Sequence, residues 1–215
     1  MGNSLETLAD READRLKKPY HHGELRQALV DAARALVHER GESGFSLSDA
    51  CRRAGVSTAA PYRHFADKEE ILAEVAAQGF IDMASRNRIE TQRHPEGSAE
   101  RIVALGRVYF TFALEEPALF RMMLEQKPRH SEHANLEDRG RECFAYVVEE
   151  VIGFCKANRI EGNAQLIALQ LWTFVHGAAS LTIDGGYAKI APDLNVEELI
   201  TRAADRLLFS LPRLA

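Results

Sequence analysis

Ser57, Thr58, Tyr62, Arg63, His64 and Lys68 follow one glycine, Gly55, in close succession. Hydroxyls, an imidazole and two cations at this spacing form no nucleophile–base pair. What they can do is offer hydrogen bonds and positive charge to phosphates and base edges. Taken singly each has a plainer reading: Tyr62 and His64 as packing or capping residues, Lys68 as a solvated lysine. In register behind Gly55 they point together to duplex DNA. Upstream, Lys17, Lys18, Tyr20, His21 and His22 form a basic-aromatic arm. It reads either as a reach into a minor groove or as a lead-in whose Tyr20 packs on the domain.

Such side chains need helices to present them. Leu25, Leu29, Ala32 and Leu36 recur at helical spacing, with Ala28, Ala33 and Val37 widening the stripe. They predict a first helix over 23–40 that stops at Gly41. Ser46 with Asp49 is a capping-box pattern opening a short helix that ends before Gly55. Ser57 caps a third helix over 58–65, and Asp67 with Glu70 a long fourth running toward residue 88. Two short helices at a wide angle need small residues where they cross and a glycine in the turn. Ala50 and Ala54 supply the first, Gly55 the second, and Val56 an apolar plug beneath. Thr58, Ala59, Tyr62 and Arg63 then share an outer face, while Phe65 turns back to the core.

At these residues the chain resembles the TetR/AcrR family of bacterial regulators. The resemblance is carried by Ala54-Gly55-Val56-Ser57, then Tyr62, His64-Phe65 and Lys68-Glu69, and covers residues 25–75 without a break. It implies DNA contacts at Ser46, Ser57, Thr58, Ala59, Tyr62, His64 and Lys68, with Tyr62, His64 and Lys68 meeting phosphates. Two departures stand out. Ala59 or Ala60 sits where many members have glycine, and Pro61 falls within the short third helix, where it removes at most one backbone bond.

Further helices are predicted over 99–114, 117–124, 136–158, 165–184 and 196–211, with loops over 126–135 and 185–195. The 165–184 segment is apolar almost all round, so it must be covered on two sides. Its own core covers one side; a second copy of the chain is expected on the other. Leu171, Val175, Ala178, Ala179, Val196, Ile200, Ala203 and Leu207 are the expected dimer contacts. Trp172-Thr173-Phe174-Val175-His176-Gly177 is similar to the Trp…His-Gly signature of one subgroup's C-terminal domain, and Pro19–Gly23 is similar to that subgroup's start. The resemblance implies a ligand-triggered switch in this body. Phe80, Met83, Tyr109, Phe110, Ala113, Phe120, Met123, Phe144, Val147, Trp172 and His176 are the candidate pocket side chains. Aromatic and methionine side chains at helical spacing also read simply as core. His176 keeps two readings, a hydrogen-bonded structural histidine or a ligand contact. An anionic pocket would require Asp82, Glu115, Glu116 or Glu149 to face inward.

The expected fold class is all-α: a three-helix, helix-turn-helix N-terminal domain and a C-terminal helical domain for ligand and dimerisation. The expected bounds are an arm at 1–22, the DNA-binding domain at 23–70 and the body at 71–215. The net charge of −5 hides an uneven distribution. Residues 15–68 carry 10 Lys/Arg against 6 Asp/Glu, whereas residues 69–215 carry 16 against 22. A locally basic unit on an acidic body is compatible with phosphate binding. No GxGxxG, P-loop, GxSxG or HExxH sequence occurs, so no catalytic residue or cofactor is expected. His130 and His133 lack a further metal ligand. The acidic stretch from Glu6 to Asp14 does not read as a signal peptide, and the longest apolar runs are broken by polar residues. Three cysteines without a CxxC pair fit a reducing cytoplasm. The expected partners are double-stranded operator DNA, a small-molecule effector and a second copy of the chain, with no membrane. A constitutive DNA-binding protein with a solid body is the rival class, and an enzyme the third.

Overall fold

Apolar stripes closed by polar caps produce an all-α chain. The computed structural model describes residues 22–58, 63–125 and 134–212. Among the described residues there are nine helices and no strand: α1 (His22–Arg40), α2 (Leu47–Ala54), α3 (Lys68–Thr91), α4 (Ala99–Glu115), α5 (Pro117–Glu125), α6 (Ala134–Ala157), α7 (Ala164–Ile183), α8 (Gly186–Ile190) and α9 (Val196–Phe209). The arm at 17–21 and the loop at 126–133, with His130 and His133, lie outside the described residues. So do residues 59–62, half of the third helix expected over 58–65.

The N-terminal unit follows the stripe. Leu29, Val30, Ala33, Leu36 and Val37 of α1 are buried, and Ala50, Cys51 and Phe65 close on them. Ser46 caps α2 through a complete box: the Asp49 N–H donates to Ser46 Oγ at 3.2 Å, and the Ser46 N–H donates to Asp49 Oδ2 at 2.8 Å. The second box is shifted. Asp67 accepts from the Glu70 N–H at 2.9 Å, but Glu70 reaches back one residue further, to the Ala66 N–H at 2.5 Å. Gly55 turns the chain at φ 70° into open space, so only the left-handed backbone restricts its side chain. Gly44 is held by contact instead: a Cβ there would lie 2.2 Å from the Arg40 carbonyl oxygen.

α3 ties the two parts together. It packs on α1 at one end and on α4, α5 and α6 along the rest. One continuous core therefore runs from Leu29 and Phe65 through Val75 and Phe112 to Val175 and Ile200. A second cluster, including Ile102, Phe154, Ile167 and Leu208, closes the far end of the body.

Two expectations are corrected. The loop expected over 185–195 contains the short helix α8, whose five residues are too few to show a periodic apolar pattern. α7 is, by length and composition, apolar enough to cross a membrane, with a mean hydropathy of 1.5 over its best window. Its scattered polar residues do not lower that mean enough to break the run. In this structure α7 packs on α4, α6 and α9, which cover 28% of that window.

Candidate nucleic-acid interface and body cavity

Ser57, Thr58 and Arg63 are exposed beyond the α2 turn, and His64 is half-buried beside them. Ala59 and Tyr62 lie outside the described residues. Two of the expected contacts are committed within the protein. The Ser46 hydroxyl accepts from the Asp49 N–H and donates to Asp49 Oδ2 at 2.6 Å, so the cap occupies it in both directions. Those bonds hold the Asp49 carboxyl below its ordinary pKa, the Ser46 hydroxyl contributing most. Lys68 stands in the first turn of α3, where a cation meets the unfavourable end of the helix dipole. Its ammonium is held there by the Phe45 carbonyl at 2.6 Å and by the Phe45 ring, 4.3 Å to the centroid. An ammonium has three donors, so this leaves capacity for a phosphate.

The clearest link between the two parts is one the sequence pattern does not show. Arg34 of α1 makes a fork on Glu116, Nε to Oε2 at 3.0 Å and an Nη to Oε1 at 2.6 Å, and its other Nη bonds Asp82 of α3. These bonds, foremost those to Glu116, raise the guanidinium pKa further. Glu115 pairs with Arg86 at 2.5 Å. The acids that would have made the pocket anionic are thus occupied elsewhere, and Glu149 sits exposed at the rim.

The body holds a half-open cavity of about 900 Å³ between α3, α4, α6, α7 and α9. Phe80, Met83, Tyr109, Phe144, Val147 and Trp172 line it, as the sequence suggested. Phe110, Ala113, Phe120, Met123 and His176 are not on its wall, which corrects that part of the expectation. Phe110, Ala113, Phe120 and Met123 face the core, where Met123 fills the space that a side chain at Gly79 would take. His176 lies behind Tyr109: its Nδ1 is 3.0 Å from the Tyr109 hydroxyl, which accepts the Trp172 indole N–H at 3.1 Å. Sequence reasoning missed Asn87, Ile102, Leu105 and Cys143 of the wall. Asn87 in particular carried no sequence signal, being one polar residue in a helix with polar residues throughout.

Cys143 yields a direct test of how dry this wall is. Burial pushes its thiol up to about 11. The sign follows: the stability linked to this neutral thiol is fully present below about pH 9 and is lost as the pH rises through about 11. Native protein at pH 8 should therefore resist iodoacetamide at Cys143, while denatured protein reacts readily. Rapid labelling of the folded chain, read by mass spectrometry, would contradict the burial of Cys143.

Four of the expected dimer contacts are corrected. Val175, Ala178, Ala179 and Ile200 are buried in the chain's own core, and Leu171, Val196 and Leu207 pack partly against it. Ala203 lines the cavity. The exposed apolar side chains of α7 are instead Leu166, Leu169, Phe174 and Leu181, of which Leu169 and Phe174 also border the cavity, with Phe209 at the end of α9.

Residues 29–75 match the family described as bacterial regulatory proteins, tetR family, and residues 102–207 match a tetracyclin repressor-like C-terminal domain. An uncharacterized HTH-type transcriptional regulator of Haemophilus influenzae is 30% identical over 102 residues, 47% of this chain and 49% of that protein. The chain thus matches about half the length of that relative. The nucleoid occlusion factor SlmA of Vibrio vulnificus is 28% identical over 189 residues, 85% of this chain and 93% of that one. A solved protein of unknown function from Rhodococcus sp. RHA1 superposes with a TM-score of 0.79 at 30% identity, covering 91% of this chain and 99% of its own.

Proposed function

Because the chain belongs to the TetR family of bacterial regulatory proteins, whose members are regulators and not enzymes, we propose that it is a cytoplasmic, ligand-responsive repressor acting as a homodimer on a palindromic operator. The observation that carries this reading is a large apolar cavity in a body clamped to the helix-turn-helix through Arg34. We assign operator contact to residues 23–70, with residues 1–22 as an arm, and effector binding and dimerisation to residues 71–215. A constitutive DNA-binding protein has no use for such a cavity.

The dimer reading rests on the uncovered apolar face of α7 and the end of α9. A second copy covers both faces at once about a two-fold axis, and two recognition units then meet two half-sites about one DNA turn apart. A ligand in the cavity biases the spacing of those units, to the extent that it binds one arrangement more tightly than the other.

Tyr62→Ala tests the DNA-binding face. It should weaken operator binding about tenfold, the loss of a hydrogen bond to a charged phosphate, while leaving the dimer intact by analytical ultracentrifugation. The salt dependence should keep its slope, since tyrosine releases no counterion; a lost cationic contact would change it by about 0.9. Unchanged affinity in Tyr62→Ala would refute the assignment of the recognition helix.

A further inference from the structure

Asn87 stands on the cavity wall at 3% exposure, and its Oδ1, itself shielded from solvent and reached by a ligand through a turn of the amide, has no hydrogen-bond partner among the described residues. That is unusual: a buried amide oxygen without a donor forfeits the hydrogen bonds it made in water. Two hydroxyls of this part of the body are committed elsewhere. Thr91, one turn along α3, bonds the Asn87 carbonyl at 2.9 Å and the Tyr146 hydroxyl at 2.6 Å. Tyr109, across the wall, serves Trp172 and His176. Among the described residues, none is placed to satisfy the Asn87 Oδ1.

The rest of the wall defines the complement. The same wall carries Met83, Ile102, Leu105, Phe144 and Trp172, together with a thiol that burial keeps neutral. Among the described residues, charge appears only at the edge, as Arg141 and Glu149, both exposed, with Arg141 already paired to Asp138 at 2.5 Å. An ion drawn inside would lose its hydration with no counter-charge to replace it. A hydroxyl suits the amide in either orientation, because it donates to the oxygen or accepts from the nitrogen. A ketone or an ether can only accept.

Resting on the ligand-responsive reading above, we propose that the cavity takes an uncharged lipophilic molecule bearing a hydroxyl, which hydrogen-bonds to Asn87. Asn87 thereby selects the polar group, and the apolar wall selects the body of the ligand.

Displacement of the neutral apolar dye N-phenylnaphthylamine from the full chain, without DNA, reads binding directly. Lauryl alcohol should bind about tenfold more tightly than lauryl methyl ether, which lacks the donor. Laurate and laurylamine should bind at least about tenfold more weakly than the alcohol. In Asn87→Leu, a replacement of similar size, the advantage of the alcohol over the ether should vanish while dye uptake persists, which reports an intact body. An alcohol–ether gap that survives Asn87→Leu, or either ion binding as well as the alcohol, overturns the proposal. No dye uptake by the wild-type chain overturns it and the ligand-responsive reading together. Alcohol binding that leaves operator affinity unchanged supports the site and overturns only the regulatory reading.

Discussion

Arg34→Met should lower the thermal midpoint by about 5–10 °C. The reason is what it leaves behind. Asp82 and Glu116 are only 31% and 18% exposed, and each loses its guanidinium partner at once. Hydrogen bonds to charged groups contribute about 1.5–3 kcal/mol, and removing one side of a buried pair costs more than an exposed one. Partial solvent access discounts the total to about 2–3 kcal/mol. For a chain of this size, each kcal/mol moves the midpoint by about 2–4 °C. Arg34→Lys should recover only part of it, since an ammonium cannot make the fork on Glu116. The triple variant with Asp82→Asn and Glu116→Gln should be less damaging than the single losses added together. A midpoint shift of Arg34→Met under about 2 °C by calorimetry would mean that solvent screens the clamp.

The same clamp has a functional consequence under the proposed mechanism. Arg34 is the only charged side chain of α1 seen to bond both α3 and the α4–α5 junction among the described residues. A ligand that moves α4 or α3 moves Glu116 or Asp82, and through them α1. Arg34→Met should therefore blunt the effect of a ligand on operator affinity more than it changes ligand affinity itself.

The clamp spans 82 residues of sequence, which explains why no local pattern announced it. What was legible is local. The α2 bounds follow from Ser46, Asp49 and Gly55, each of which acts within one turn of itself. The α1 stripe follows from a 3.6-residue period that directly reports burial. The body helices were equally visible, but their rotation about their own axes was not. α7 is apolar on nearly every side, so periodicity could not separate the side chains that enter the core from those left uncovered. Val175, Ala178 and Ala179 went inward, and Leu166, Leu169 and Phe174 outward. The cavity wall shows the same limit. Large apolar residues signal burial but not whether a neighbour or a void lies opposite. Phe80 and Phe144 meet the void, Phe110 and Phe120 the core.

One segment of the body is an exception, and it carries the second large prediction. Trp172 and His176 are four residues apart on α7, hence on one face, and both converge on the Tyr109 hydroxyl of α4. The indole N–H can only donate, so the phenol oxygen accepts from it; the phenol proton is then free to bond His176 Nδ1. This gives the Trp…His spacing a physical purpose: two arms of one helix grip a single half-buried hydroxyl. Phe120 and Phe144 pack edge-on or tilted against the group, with ring centroids 5.3–6.0 Å from Tyr109, His176 and Trp172. In such surroundings each polar group left unpaired costs about 1–3 kcal/mol. Tyr109→Phe removes one oxygen and orphans two partners, so it should cost about 2–4 kcal/mol by denaturant unfolding. Burial also raises the Tyr109 phenol pKa above the ordinary tyrosine value. The linked stability is fully present below about pH 10 and is lost as the pH climbs toward the folded-state value, so Tyr109→Phe should flatten the alkaline limb of the stability curve. Trp172 is the only tryptophan in the chain, so its emission reports on this one site. A double-mutant cycle of Tyr109→Phe with Trp172→Phe should return a coupling of about 1–2 kcal/mol. Additive single effects, with Trp172 emission unmoved by Tyr109→Phe, would show that the hydroxyl merely fills space between α4 and α7.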